Sequence, residues 1–210
     1  MSADTDRPVR VEFVLDLICV HSYLAFTRFE KAAARRRADG GMIEVTFQPF
    51  QIDAQAPEEG EPLTERHRRD FGADAEEMSH RMTGIAARDG LSLDFGRAIF
   101  VNTFRAHQLL ATGQRQGRAE AITERLFRAY FSEGRNIGDP GTLDELAADA
   151  GVVPVAAGGD GPGPDELAAA LAVVRQRGIT SVPLVRVDNG PELSGARSEQ
   201  DYLDALAATS

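Results

Sequence analysis

An α/β fold interrupted by a helical insertion is predicted by three features of this chain. Two runs of alternating apolar residues, Val9 to Leu15 and Ile43 to Phe47, flank a helical stretch near the N-terminus. Strand signals return only after Gly178, on either side of Asn189-Gly190. Between them the apolar spacing is helical. The order is therefore β-α-β, a helical block, then α-β-β-α.

Each element has a local reason. Val9, Val11, Phe13 and Leu15 alternate in period two, the pattern of a strand with one buried face. Tyr23 to Arg37 reads as a helix with Leu24, Phe29 and Ala33 near one face, stopped at Gly40-Gly41. Ile43, Val45 and Phe47 make a second strand, which Pro49 should end. Residues 54–62 are rich in proline, glycine and glutamate and read as a loop. From there to Gly151 no strand signal interrupts the pattern. Ile122, Leu126, Ala129 and Tyr130 form one stripe; Phe100, Phe104, His107 and Ala111 form another. Thr142 and Glu145 suggest a capping box over Leu143, Leu146 and Ala147.

Residues 156–164 have linker composition. Leu167, Leu171 and Val174 predict a helix ended by Gly178, and Ile179 to Asp188 a third strand. Asn189-Gly190 is a hairpin turn signal leading to a short fourth strand at Glu192-Leu193-Ser194. Ser198 is a plausible N-cap for a last helix ending near Ala207. With the helical block removed, the order β-α-β-α-β-β-α is thioredoxin-like. The expected division is residues 9–53 and 164–208 for that fold, with residues 54–163 as the insertion.

Composition narrows the function classes. Lys+Arg 23 against Asp+Glu 33 leaves a net charge of −10, which argues against nucleic acid or an anionic membrane as main partner. No apolar run approaches the roughly 20 residues that span a bilayer. The polar start of the chain does not read as a signal peptide, so a cytoplasmic location is expected. His67 and His80 have no ligand-spaced partner, and no metal is expected.

Cys19 is the only cysteine, so no internal disulfide is possible. It stands in Asp16-Leu17-Ile18-Cys19-Val20-His21-Ser22, at a strand-to-helix turn. Free backbone N–H groups at a helix start favour an anion. The thiolate is the reactive form of cysteine, and such a position beside a cationic histidine can lower a thiol pKa to roughly 3.5–7.5. On this reading Cys19 is a nucleophile and His21 stabilises its thiolate. Ser22 donates to the sulfur or caps the helix start.

Several stretches together resemble the DsbA-like branch of the thioredoxin superfamily, in particular FrnE-type oxidoreductases. They are Asp16 to Leu24, Phe47-Gln48-Pro49-Phe50, Asn102 to His107, Leu126 to Phe131, Gly178 to Pro183 and Leu193 to Ala196. The resemblance runs from about Val11 to Leu206. It implies a thioredoxin-like fold, a cis Val182-Pro183 bond whose loop holds an extended substrate, and a cleft lined by Phe50, Asn102 and His107. That family uses Cys-Pro-x-Cys; here the string is Cys-Val-His-Ser. The resolving cysteine is replaced by Ser22, so a degenerate, single-thiol oxidoreductase is expected. It would act on a small-molecule or peptide-like thiol or disulfide, with no covalently bound cofactor and an external thiol such as glutathione.

Two alternatives follow. Ser22-Tyr23-Leu24-Ala25-Phe26 is similar to a stretch of 2-hydroxychromene-2-carboxylate isomerase and kappa-class glutathione transferases, which would imply a cleft enzyme on a small organic substrate. Their Ser-Asp pair for glutathione has no counterpart in Gly195-Ala196-Arg197. The other alternative is a non-catalytic binding protein on the same scaffold. Apolar faces of the terminal helices would suit a homodimer.

Overall fold

The computed structural model describes residues 7–153 and 162–208. Its larger sheet has four strands: β1 (Val9–Leu15), β2 (Ile43–Pro49), β5 (Leu184–Val187) and β6 (Glu192–Ser194). Their order is β2-β1-β5-β6. β1 and β2 run parallel, with Phe13 opposite Phe47; β5 is antiparallel to β1, and β6 to β5. A parallel pair needs a crossover, and α1 (Val20–Ala38) supplies it.

Strand alternation divides the core. Phe13 faces α1, meeting Phe26 and Phe29 edge-on at ring distances of 6.2 and 6.0 Å. Tyr202 of α8 (Glu199–Ala207) closes on Phe29 at 5.9 Å. The next residue, Val14, faces the other way, onto Val174 of α7 (Pro164–Gln176). On the same side Glu12 pairs with Arg177 just past that helix. Each fully buried side chain of this size stabilises by about 1.5–3 kcal/mol.

Among the described residues between the two halves are a two-stranded pairing, β3 (Glu61–Pro62) with β4 (Ile99–Phe100), and five α-helices. These are α2 (Leu63–Phe71), α3 (Ala75–Arg88), α4 (Phe104–Arg115), α5 (Ala119–Phe131) and α6 (Pro140–Asp149). The expected stripe on α5 is buried at all four positions, Ile122, Leu126, Ala129 and Tyr130. Through Phe127 and Phe131 this helix stacks on Tyr23 of α1, at 5.0 and 5.7 Å.

Several elements differ from the sequence reading. The middle region is not purely helical: Phe100, placed in a helical stripe, lies in β4. The buried face of α4 is Ala106, His107, Leu110 and Gly113, one notch from the Phe104-His107-Ala111 stripe. α1 begins at Val20, three residues before Tyr23. α6 opens at Pro140, because Asp139 caps it, accepting from the Thr142 N–H at 2.7 Å. Glu145 is drawn away from any capping box by Arg135. The third strand is only Leu184–Val187, since the turn at Pro183 keeps Ile179 to Val182 off the ladder. Ser198 does cap α8, in a box with Asp201. Most of the expected linker at 156–164 lies outside the described residues.

Candidate functional site

β1 delivers the chain into a tight turn beneath the start of α1. The Cys19 N–H donates to the Asp16 carbonyl at 3.1 Å, and the Cys19 carbonyl accepts the Tyr23 N–H at 3.1 Å. Cys19 is thus the N-cap of α1, in extended conformation, and its side chain caps nothing. Instead Sγ reaches the loop before β5 and donates to the Val182 carbonyl at 3.7 Å. The Val182–Pro183 bond is cis, and the Pro183 carbonyl accepts from the Gly195 N–H at 2.9 Å. The loop is thereby tied to the end of β6.

The thiol sits in apolar surroundings. Cys19 is only 7% exposed. Ile18 and Val20 flank it, half-buried. Phe50 packs with Ile179 and Val182 over Val14, Val174 and Leu184. Burial disfavours the charged form, and here it pushes the Cys19 thiol pKa up. The negative charge of Asp16 pushes the same way. Contact with Ser22 and the backbone N–H groups of Ser22 and His21 pulls it down, but burial outweighs them. This reverses the sequence expectation of a lowered pKa. The helix-start N–H groups are in place; the cost of desolvating a sulfur anion is larger.

His21 does not serve as a cationic partner either. Its ring is at the surface, and partial burial lowers its pKa, so it is neutral near pH 7. Its contribution to Cys19 is its backbone N–H. Ser22 is fully buried and close enough to Sγ to favour the thiolate, yet its Oγ has no hydrogen-bond partner among the described residues.

A buried polar layer underlies the thiol, and the sequence reading missed most of it. Asp16 is 0% exposed; its Oδ2 accepts from the Ile52 N–H at 2.7 Å. His107, 1% exposed, places Nε2 2.9 Å from the Phe50 carbonyl and 3.4 Å from Asp16 Oδ1. A carbonyl only accepts, so Nε2 carries the proton. Tyr130 completes the layer from α5; burial first, then the Asp16 charge, pushes its pKa far up. The available signal was Asp16 itself, a charge set between apolar Leu15 and Leu17 at a buried strand exit.

The other expected residues fall in different places. Phe50 is half-buried at the apolar rim, and its carbonyl is held by His107. Asn102 organises the neighbouring loop: it accepts from Gln51 at 2.9 Å and from the Phe104 N–H at 2.9 Å, and donates to the Ala54 carbonyl at 3.1 Å. With Gln51, Glu58 and Arg105 it lines a polar surface pocket of about 250 Å³. His107 belongs to the buried layer and also lines a small cavity of about 130 Å³ between β2, α4 and α7. Tyr23, part of the isomerase-like string, is core, stacked on Phe127.

Comparison with known proteins decides the family. The DSBA-like thioredoxin domain matches residues 10–207 of the chain. This chain belongs to the DsbA-like thioredoxin family. A probable DsbA oxidoreductase, SCO1869 from Streptomyces coelicolor, is similar over 95% of this chain and 89% of its own, at 28% identity and a TM-score of 0.80. The cytosolic disulfide reductase DsbM from Pseudomonas aeruginosa shares the fold at 19% identity and a TM-score of 0.61, over 95% and 98% of the two chains. A 2-hydroxychromene-2-carboxylate isomerase shares it at 15% identity and a TM-score of 0.59, over 95% and 93%. No curated protein matches. Among the described residues, no helix is long and apolar enough to cross a membrane.

Proposed function

We propose that this DsbA-like protein is a single-thiol oxidoreductase of FrnE type, in which Cys19 exchanges disulfides through a mixed-disulfide intermediate. The observation that carries this reading is the sulfur's position: at the start of α1, against the Val182 carbonyl of the cis-proline loop. The family match over residues 10–207 supports the same chemistry.

The steps follow from one thiol. The Cys19 proton leaves to a solvent base, and the thiolate attacks one sulfur of a disulfide. A bond forms between Sγ and that sulfur, the old S–S bond breaks, and the second sulfur departs as a thiolate. Cys19 has no second cysteine to resolve this adduct. An external thiolate such as glutathione attacks the non-protein sulfur, forms a new disulfide with it and returns Cys19 as thiolate. Each step exchanges one disulfide for another, so one cycle trades one thiolate of the substrate disulfide for the external thiolate; a second external thiol, attacking the new mixed disulfide, completes reduction of the substrate and leaves the two external thiols joined as a disulfide. DsbM has been solved with glutathione, which makes a small thiol a reasonable resolving partner. A reducing cytoplasm would supply it.

The raised thiol pKa shapes the kinetics. Little thiolate is present at neutral pH, but a thiolate of high pKa is intrinsically the stronger nucleophile. Steady-state reduction of a peptide–glutathione mixed disulfide, with glutathione as the sole reductant, tests the reading. Turnover that rises with pH and disappears in Cys19→Ala supports it; equal turnover in the variant refutes it.

A further inference from the structure

We propose that His107 is a positioning residue for the Cys19 thiol, acting through Asp16. The inference rests on Cys19 being the reacting group of the proposed function. His107 lies on α4, distant in sequence from both partners, and its imidazole is 1% exposed. Nε2–H donates to the Phe50 carbonyl at 2.9 Å, which fixes the tautomer and the ring plane. The same nitrogen stands 3.4 Å from Asp16 Oδ1, an oxygen that is buried and has no hydrogen-bond partner among the described residues. The carboxylate is therefore clamped from two sides: Oδ2 by the Ile52 N–H at 2.7 Å, Oδ1 by the positive edge of the imidazole.

That clamp matters because the Asp16 charge acts on the sulfur and the two residues share one turn, the Cys19 N–H donating to the Asp16 carbonyl at 3.1 Å. The groups that act on Cys19 are Asp16, the Ser22 side chain and N–H, the His21 N–H and the Val182 carbonyl. Those around Asp16 are Ile52, His107 and Tyr130. Asp16 is the one full negative charge in this set, and in a dry setting its field on the sulfur is strong. The imidazole N–H offsets part of that charge and keeps the carboxylate in one place. Two of the strands and helices that meet here, β2 and α4, are joined to the thiol turn by this ring.

The thiol's pH–reactivity profile reads the coupling. Alkylation rate against pH is measured for the wild-type protein, His107→Leu, His107→Gln, Asp16→Asn and the double variant Asp16→Asn/His107→Leu. Asp16 meets the imidazole through Oδ1, at 3.4 Å. Loss of the imidazole then leaves its charge less compensated, and the midpoint in His107→Leu moves up by about half a pH unit, the scale of one hydrogen bond. His107→Gln, which keeps an N–H near the same place, stays within half of that shift. In the Asp16→Asn background, His107→Leu has no effect, because the charge it modulates is gone. An equal shift in both backgrounds overturns the proposal. Should His107→Leu fail to fold, heteronuclear NMR of the wild-type imidazole decides: an Nε2–H tautomer whose resonance moves in Asp16→Asn supports the clamp, and an Nδ1–H tautomer overturns it. None of these readouts depends on turnover. Coupling without disulfide exchange refutes the proposed function and leaves the clamp; exchange without coupling does the reverse.

Discussion

At Cys19 two opposing effects act on one sulfur. The first turn of α1 offers N–H groups that favour an anion, while 7% exposure in apolar surroundings and the charge of Asp16 oppose it. Burial wins, so the midpoint of Cys19 alkylation is expected above the ordinary cysteine value of about 8.5. Asp16→Asn removes a charge of the same sign and lowers that midpoint; an unchanged profile would mean that the carboxylate does not act on the thiol. The identity of the thiol and its place at a strand-to-helix turn were legible in the sequence. Its ionisation was not, because the burial that raises the thiol pKa exists only in the folded chain, where the Val182 carbonyl of a loop far along the sequence closes on the sulfur. The role of His107 was hidden for the same reason. Its partners Phe50 and Asp16 come from other elements, and a helical stripe says only that a residue faces inward.

Elements were read best where the signal is local. The Val9–Leu15 strand, the stripe on α5 and the Ser198 cap rest on residues within a turn or two, and each is present. The short β3–β4 pairing and the start of α6 were missed, since a two-residue pairing carries no periodicity and Asp139 competes with Thr142 as a cap. Packing between elements makes two predictions. Phe13 is fully buried against Phe26, Phe29 and Phe47, so Phe13→Ala should destabilise by about 3–5 kcal/mol in denaturant unfolding. Between α1 and α5, burial and the neighbouring Glu120 push the Glu30 carboxyl pKa up to about 8. A carboxyl raised in the folded state stabilises it fully only below the unfolded value of about 4.3, and that stability is lost as pH rises through 8. Glu30→Gln should thus leave stability near pH 4 almost unchanged and raise it by about 1–3 kcal/mol at pH 9. Equal effects at both pH values would show that Glu30 does not titrate this way.

At the scale of the whole molecule, the site is assembled from the β1–α1 turn, the exit of β2, helices α4 and α5 and the loop before β5. The thioredoxin-like frame brings the turn and the proline loop together; the inserted helices contribute His107 and Tyr130 from below. The element order made the frame legible, and the resemblance of several short stretches supplied the family. The buried polar layer was not legible, because it exists only once the insertion is folded against the sheet. In the proposed function one thiol, Cys19, carries covalent disulfide chemistry and depends on an outside thiol for release. Intact mass spectrometry after incubation with glutathione disulfide at alkaline pH tests it most directly. A single glutathione adduct on Cys19 is expected, removed by added free thiol and absent in Cys19→Ser. An unmodified protein, with its fold intact and its thiol still open to alkylation, would contradict it.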